Sequence, residues 1–219
     1  DEVFFDPALP LPAANHADIK PVITWSKLND AQASGSIKVK YGPLAFSSDV
    51  TLAAGQTKDV AMTPVRFDNP ELWWPNGYGE PHLYDVEVAF ETEGKTSDVK
   101  KVKSGVREMA YTMDNDILDI FVNGRRLIAN GGNWGFPEIN INYRAREYDI
   151  AVGYHADMNF TMIRNWVGMT GDEEFYEACD RHGMMIWQDF WLANPYDGPD
   201  PFNESMFAAN AVDYVRKIR

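Results

Sequence analysis

The hydrophobic residues of this chain change their period about half-way along it, and this change limits the folds that the chain can adopt. Up to about residue 110, short runs such as "GSIKVKYG", "AFSSDVTL" and "LYDVEVAFE" alternate apolar with polar residues between turn signals. In the last run Tyr84, Val86, Val88 and Phe90 share one face, which we expect to face a core. Roughly six or seven such strands favour an antiparallel β-sandwich of immunoglobulin-like type.

After about residue 117 the spacing of the apolar residues becomes helical. The run "ILDIFVNGRRLIAN" predicts a hairpin closed by Asn123 and Gly124. Helical stripes follow in "REYDIAVGYHADM", "GDEEFYEACDRHG" and "NESMFAANAVDYVRKIR", with the short apolar runs "NFTMIRNW" and "MMIWQDFW" between them. This order of strands and helices is typical of a parallel α/β sheet with strands buried between helices. A complete (β/α)8 barrel needs roughly 250 residues, so this half can supply less than half of one.

Charge and cysteine content exclude several functions. The 219 residues carry a formal net charge of −13, whereas nucleic acids and anionic membranes require a basic face, so we expect neither as a partner. A single cysteine, Cys179, excludes an internal disulfide and a Cys-based zinc cluster, and we expect no metal and no cofactor. Residues 1 to 20 lack the order of a signal peptide, which leaves the compartment open, a periplasmic or secreted whole protein included.

The apolar runs of the second half share polar and aromatic ends. They end in "GGNW", "RNW" and "WQDFW". Because the carboxyl ends of parallel strands build the active site in barrels, we expect these side chains to meet at one edge. Sugar C–H faces pack on aromatic rings and sugar hydroxyls need polar partners, so the pattern predicts a carbohydrate pocket. Its predicted residues are Asn133, Trp134, Arg164, Trp166, Asp189 and Trp191.

Each of these residues has an alternative interpretation. Trp134 is expected to form a wall of the pocket, but a tryptophan near a strand end can instead pack in the core or at its rim. Arg164 lies in a run that should be buried, so its charge must be paired, either in a structural ion pair or with a ligand. Asp189 is its expected partner. The stretch "PELWWPNGYGEPHLY" could bind a ligand, but its prolines and aromatic residues favour a packed structural connection.

Several stretches resemble, in order, the central segment of glycoside hydrolase family 2. They are "LWWPNGYGEPHLY", "SGVRE", "DIFVNGRRLIANGGNW", "NFTMIRNW" and "FYEACDRHGMMIWQDF", and the resemblance covers nearly the whole chain. The tryptophan after Arg164 and the "SD" of "GKTSDVKK" favour the exo-β-D-glucosaminidase and β-mannosidase branch of that family.

The resemblance implies a multi-domain fold and a catalytic mechanism. Residues 1–112 would form the immunoglobulin-like β-sandwich, and residues 113–219 would form an incomplete (β/α)8 TIM barrel of three βα units. Family members cleave terminal β-linked sugars with retention, using one glutamate after the fourth barrel strand and another near the seventh. Both are expected beyond Arg219, because the final stretch "DYVRKIR" resembles the helix that precedes the family's fourth strand. Asn203 and Glu204 resemble the family's Asn-Glu pair but lie before that helix, so the acid/base role is not assigned to Glu204.

We therefore expect a fragment of a glycosidase that binds carbohydrate, is inactive alone, and self-associates through its incomplete barrel. The alternative is a non-catalytic carbohydrate-binding or structural β-sandwich module.

Overall fold

The structure is a computed structural model that describes residues 2–26, 32–134, 143–192 and 200–218. It consists of two compact units. One comprises Asp1–Leu72 and His82–Ala110, and the other comprises Trp73–Pro81, here called the tryptophan loop, and Tyr111–Arg219. Among the described residues, none of the helices has the length and apolar character that crossing a bilayer demands.

The first unit is built from two antiparallel sheets. Its strands are β1 (Glu2–Ala8), β2 (His16–Ser26), β3 (Ala33–Tyr41), β4 (Leu44–Leu52), β5 (Thr57–Ala61), β6 (Val65–Asp68), β7 (Tyr84–Thr92) and β8 (Lys95–Ser104). One sheet has the order β1-β2-β5, with β6 also paired to β2, and the other has the order β4-β3-β7-β8. Strands of both sheets contribute to one apolar core, so the sheets pack face to face.

The alternation in β7 sets which face enters this core. Val86, Val88 and Phe90 are at most 4% exposed, as the sequence predicts, and Tyr84 packs against the same core. Across the sheet Phe90 pairs with Ile37 of β3, which is fully buried. The predicted antiparallel β-sandwich is therefore confirmed in its general arrangement.

Within its described residues, the second unit contains short strands and three α-helices. In chain order its elements are β9 (Met109–Asp114), whose first two residues belong to the first unit, β10 (Ile117–Val122), β11 (Arg125–Leu127), β12 (Gly131–Trp134), α1 (Ala145–Asp157), β13 (Met162–Asn165), α2 (Glu173–His182), β14 (Met185–Gln188) and α3 (Glu204–Ile218). Asn123 and Gly124, at φ 50° and 75°, close the predicted β10-β11 hairpin, in which Val122 pairs with Arg125. Both central residues have positive φ, as a type I′ turn requires.

Three strands of this unit form a parallel sheet in the order β12-β13-β14, which confirms the predicted strand–helix alternation. Helices α1 and α2 cover one face, where Val152, Phe175 and Cys179 are buried. Strands β12 and β13 approach closely, since a Cβ atom on Gly131 would lie 1.7 Å from a backbone oxygen of β13. Only glycine fits this position.

The tryptophan loop packs within the second unit. Trp73 is fully buried, and its indole N–H donates to the backbone oxygen of Asp180 at 2.8 Å. The side-chain amide of Asn76 donates to the backbone oxygens of Ala156 and Phe160, at 2.9 and 3.0 Å, and so caps the end of α1. The prediction that this stretch is a packed structural connection is confirmed.

Candidate functional site

The parallel sheet has one open face at the carboxyl ends of its strands. Asn133, Arg164 and Trp187 are lateral neighbours in the register of β12, β13 and β14, so their side chains share a face. All three are exposed, and Trp187 is 47% exposed. An amide, a guanidinium and an indole thus form one accessible row, which we call the polar row. Sugars are bound by this mixture of groups.

Trp134 lies on the opposite face of the sheet. It is 3% exposed, its ring centroid is 4.9 Å from that of Phe175, and its indole N–H donates to Oγ1 of Thr170 at 3.0 Å. A side chain held this way offers no ring face to a ligand. The expectation that Trp134 forms a wall of the pocket is therefore wrong, because the register turns it toward the helices while its neighbour Asn133 takes the open face.

Arg164 and Asp189 form the predicted pair. The Nε of Arg164 lies 3.1 and 2.9 Å from the two carboxylate oxygens, and an Nη atom lies 2.7 Å from Oδ2. The backbone N–H of Val167 also donates to Oδ2, at 3.2 Å. The pKa of Asp189 is lowered chiefly because Arg164 donates these hydrogen bonds, and the same bonds raise the pKa of Arg164. Asp189 is therefore an ionised acceptor at neutral pH.

A tight turn follows β13 and carries Trp166. Val167 has φ 50° and ψ 23°, and Gly168 has φ 63°. A β-branched residue in this left-handed region costs about 1–2 kcal/mol, which the surrounding contacts must offset. The turn leaves the Trp166 ring 42% exposed, close in sequence to the N–H that binds Asp189. We call residues 166–169 the Trp166 turn.

Buried polar groups hold the far end of this turn. Asn165 is fully buried, and its side-chain amide donates to the backbone oxygen of Thr170 at 2.7 Å and accepts from the Thr170 N–H at 3.1 Å. The hydroxyls of Tyr176 and Tyr214 lie 3.2 and 3.1 Å from the same Thr170 oxygen and hydrogen-bond each other. Burial raises the pKa of both phenols, so both remain protonated at neutral pH.

Trp191 lies outside the polar row. Its ring is 40% exposed and packs edge-on against Tyr214 and Phe207 of α3, at centroid distances of 5.4 and 5.9 Å. The exposed part of the ring is accessible to a ligand. Residues 193–199, which follow it, and residues 135–142, which follow Trp134, lie outside the described residues.

Two acidic residues lie near helix starts. Asn203 Oδ1 accepts the Met206 N–H at 3.0 Å, so Asn203 caps α3 and Glu204 is its first residue. Asp172 precedes α2 and accepts a hydrogen bond from the Tyr148 hydroxyl at 2.6 Å.

Comparison with known proteins identifies the chain. Residues 3–107 match the model of glycosyl hydrolases family 2. The mannosylglycoprotein endo-β-mannosidase of Lilium longiflorum is 35% identical over 170 residues, which are 72% of this chain and 18% of that protein. The chain belongs to glycosyl hydrolase family 2. The exo-β-D-glucosaminidase of Streptomyces avermitilis is 26% identical over 196 residues, 87% of this chain and 22% of that protein.

A solved structure of another protein extends the likeness of this family 2 chain to its fold. The exo-chitosanase of Amycolatopsis orientalis matches 99% of this chain and 26% of its own with a TM-score of 0.83 and 22% identity. At this identity the match shows the fold alone. The family 2 chain spans about a fifth of the curated relatives that it matches.

Sequence reasoning about this family 2 chain missed several residues of the site. Trp187 belongs to the polar row, and it could have been found because it stands two residues before Asp189 on a strand with period two. Thr170 and Tyr176 left no comparable signal. Their role depends on a turn and a helix that meet only in the folded chain.

Proposed function

We propose that this chain is the β-sandwich and the first three βα units of the (β/α)8 barrel of a retaining, exo-acting β-glycosidase that hydrolyses terminal β-glucosaminide or β-mannoside bonds. The parallel β12-β13-β14 sheet covered by helices supports the incomplete barrel. The names of two relatives, a mannosylglycoprotein endo-β-mannosidase and an exo-β-D-glucosaminidase, support β-mannosides and β-glucosaminides as the substrate class, and the second name supports exo action.

The polar row carries this proposal. Asn133, Arg164 and Trp187 are adjacent, exposed and placed at the carboxyl edge of a parallel sheet, the edge on which barrel enzymes bind their substrates. The Asp189 carboxylate adjoins them through Arg164. The row provides a stacking surface, donors and acceptors for one sugar ring, with Trp166 as a second aromatic contact at the same edge.

The chemistry of Asp189 supports catalytic carboxylates outside this chain. A retaining glycosidase needs a protonated acid and a nucleophilic carboxylate about 5 to 5.5 Å apart. Asp189 is kept ionised by Arg164, so it is a poor proton donor, and the guanidinium and a backbone N–H hold its carboxylate in place. In the proposed role Asp189 binds and orients substrate, and the chain alone is inactive.

Sugar binding by the chain tests the role of the polar row. Saturation-transfer NMR is run with D-glucosamine, D-mannose and D-galactose. It should detect contact of the chain with D-glucosamine or D-mannose. Asn133→Ala and Arg164→Met should each abolish it. Arg126→Met is the matched control, because Arg126 is an exposed arginine paired with Asp119 on the β10-β11 hairpin. Equal binding by all variants would overturn the assignment.

A non-catalytic carbohydrate-binding module is the second function considered. Exposed indoles favour it, since Trp166, Trp187 and Trp191 are each at least 40% exposed. Both functions require the polar row, and they differ in whether a longer product of the gene turns substrate over.

We also propose that the exposed apolar side chains of α3, which include Met206, Val212 and Val215, lead the chain to self-associate.

A further inference from the structure

Thr170 stands at the centre of the buried contacts behind the Trp166 turn. It is 1% exposed. Its backbone oxygen accepts from Asn165 and lies within hydrogen-bond distance of Tyr176 and Tyr214, while its Oγ1 accepts the indole N–H of Trp134. Elements before and after the turn therefore converge on a single residue.

These contacts close a loop that has an unfavourable backbone. Residues 165–170 begin and end on the paired Asn165 and Thr170, at 2.7 and 3.1 Å. Between them Val167 is left-handed, a conformation that it keeps only when its surroundings determine it. Val167 is also the residue whose N–H donates to Asp189. Loosening the end of the loop should release the strain and withdraw that N–H.

The Thr170 hydroxyl has a specific part in this arrangement. Trp134 is immobilised between Tyr148 and Phe175, with ring centroids 6.3 and 4.9 Å away, so its indole N–H is a fixed point of the core. Oγ1 of Thr170 is bound to that point at 3.0 Å. The hydroxyl thus ties the end of the Trp166 turn to the layer formed by the sheet and its helices.

We propose that Thr170 is a positioning residue for sugar binding: it holds the Trp166 turn so that the Val167 N–H stays on Asp189 and the Trp166 ring stays at the edge of the polar row. This inference rests on the proposed function: the buried Thr170 sets the positions of Val167 and Trp166, which lie three and four residues before it. Thr170 itself touches no sugar.

The test compares two substitutions that separate the hydroxyl of Thr170 from its methyl group, in the full 219-residue chain. Thr170→Val replaces the hydroxyl by a methyl group, and Thr170→Ser keeps it. Thr96→Val, at an exposed position of β8 in the first unit, is the control for the change of residue type. Tyr214→Phe removes the hydroxyl group that lies next to the Thr170 backbone oxygen, at a partly exposed position. This variant replaces Thr170→Val in the test if Thr170→Val fails to fold.

Two readouts separate positioning from mere stability. In ¹³C NMR titrations the pKa of the Asp189 carboxyl should rise in Thr170→Val, because the Val167 N–H no longer donates to it, and should stay low in Thr170→Ser. Affinity for D-glucosamine or D-mannose should fall by roughly tenfold in Thr170→Val, the change that the loss of about 1.4 kcal/mol produces, and should be restored in Thr170→Ser. Tyr214→Phe should change both in the same direction.

The outcomes are distinguishable. A lower melting temperature for Thr170→Val, with the Asp189 titration and the sugar affinity equal to those of Thr170→Ser, would overturn the inference and leave Thr170 a purely structural residue. If the unaltered chain binds neither sugar, the proposed function fails. The Asp189 titration then still decides whether Thr170 holds the Val167 N–H in place.

Discussion

The cap that Asn76 places on α1 leads to a quantitative prediction. Asn76→Ala removes two hydrogen bonds, to the backbone oxygens of Ala156 and Phe160 at 2.9 and 3.0 Å. At about 1 kcal/mol net for each bond, the free energy of unfolding of the second unit should fall by about 2 kcal/mol. For a unit of this size that corresponds to a melting temperature lower by about 8 °C.

Tryptophan fluorescence provides the assay, because six of the seven tryptophans lie in the second unit and only Trp25 lies in the first. Thermal and urea unfolding followed at this signal should show the shift. Glu80→Ala is the matched control in the same loop, since Glu80 is exposed and contributes its backbone oxygen to the loop. A midpoint for Asn76→Ala equal to that of Glu80→Ala would refute the reasoning.

Further predictions concern charge, packing and association. Arg164 lowers the pKa of Asp189, so the pair contributes stability above about pH 4, the ordinary range of an aspartate, and loses it as the pH falls through the lowered value. Urea unfolding at pH 5 and pH 3 should therefore show a smaller pH dependence in Arg164→Met, and an unchanged dependence would contradict the pairing. Gly131→Ala should prevent pairing of β12 with β13 and abolish soluble expression. Gly132→Ala should be tolerated, because the nearest atom to its added Cβ, on the Phe160 ring, would be 3.9 Å away. Sedimentation velocity should show self-association that weakens when exposed apolar residues of α3 are made polar, and a monomer at all concentrations would exclude it.

Much of the fold could be predicted because local patterns and tertiary packing agree. The alternation in "LYDVEVAFE" places Val86, Val88 and Phe90 in a core, and the structure buries them. Asn123 and Gly124 readily adopt positive φ values, so these two residues were enough to predict the hairpin. The helix that ends at His182 is followed by Gly183 at φ 68°, the residue type and conformation expected at a helix end.

The site was harder to predict because it depends on register and on contacts distant in sequence. In the four-residue strand β12, a shift of one residue decides whether Asn133 or Trp134 faces the ligand, and composition cannot decide it. The pairing of Arg164 with Asp189 followed from charge alone, since a guanidinium on such a strand needs a partner. The role inferred for Thr170 could not be predicted, because it depends on contacts with Trp134 and Tyr214 that form only in the folded chain.

The most direct test of the account is hydrolysis of nitrophenyl β-D-glucosaminide, β-D-mannoside and β-D-galactoside by the 219-residue chain and by the full-length product of the same gene. The account predicts no turnover by the chain and turnover of the glucosaminide or the mannoside by the longer product. Turnover by the chain itself would mean that it carries its own catalytic carboxylates. Failure of the longer product on all three substrates would contradict the proposed glycosidase function.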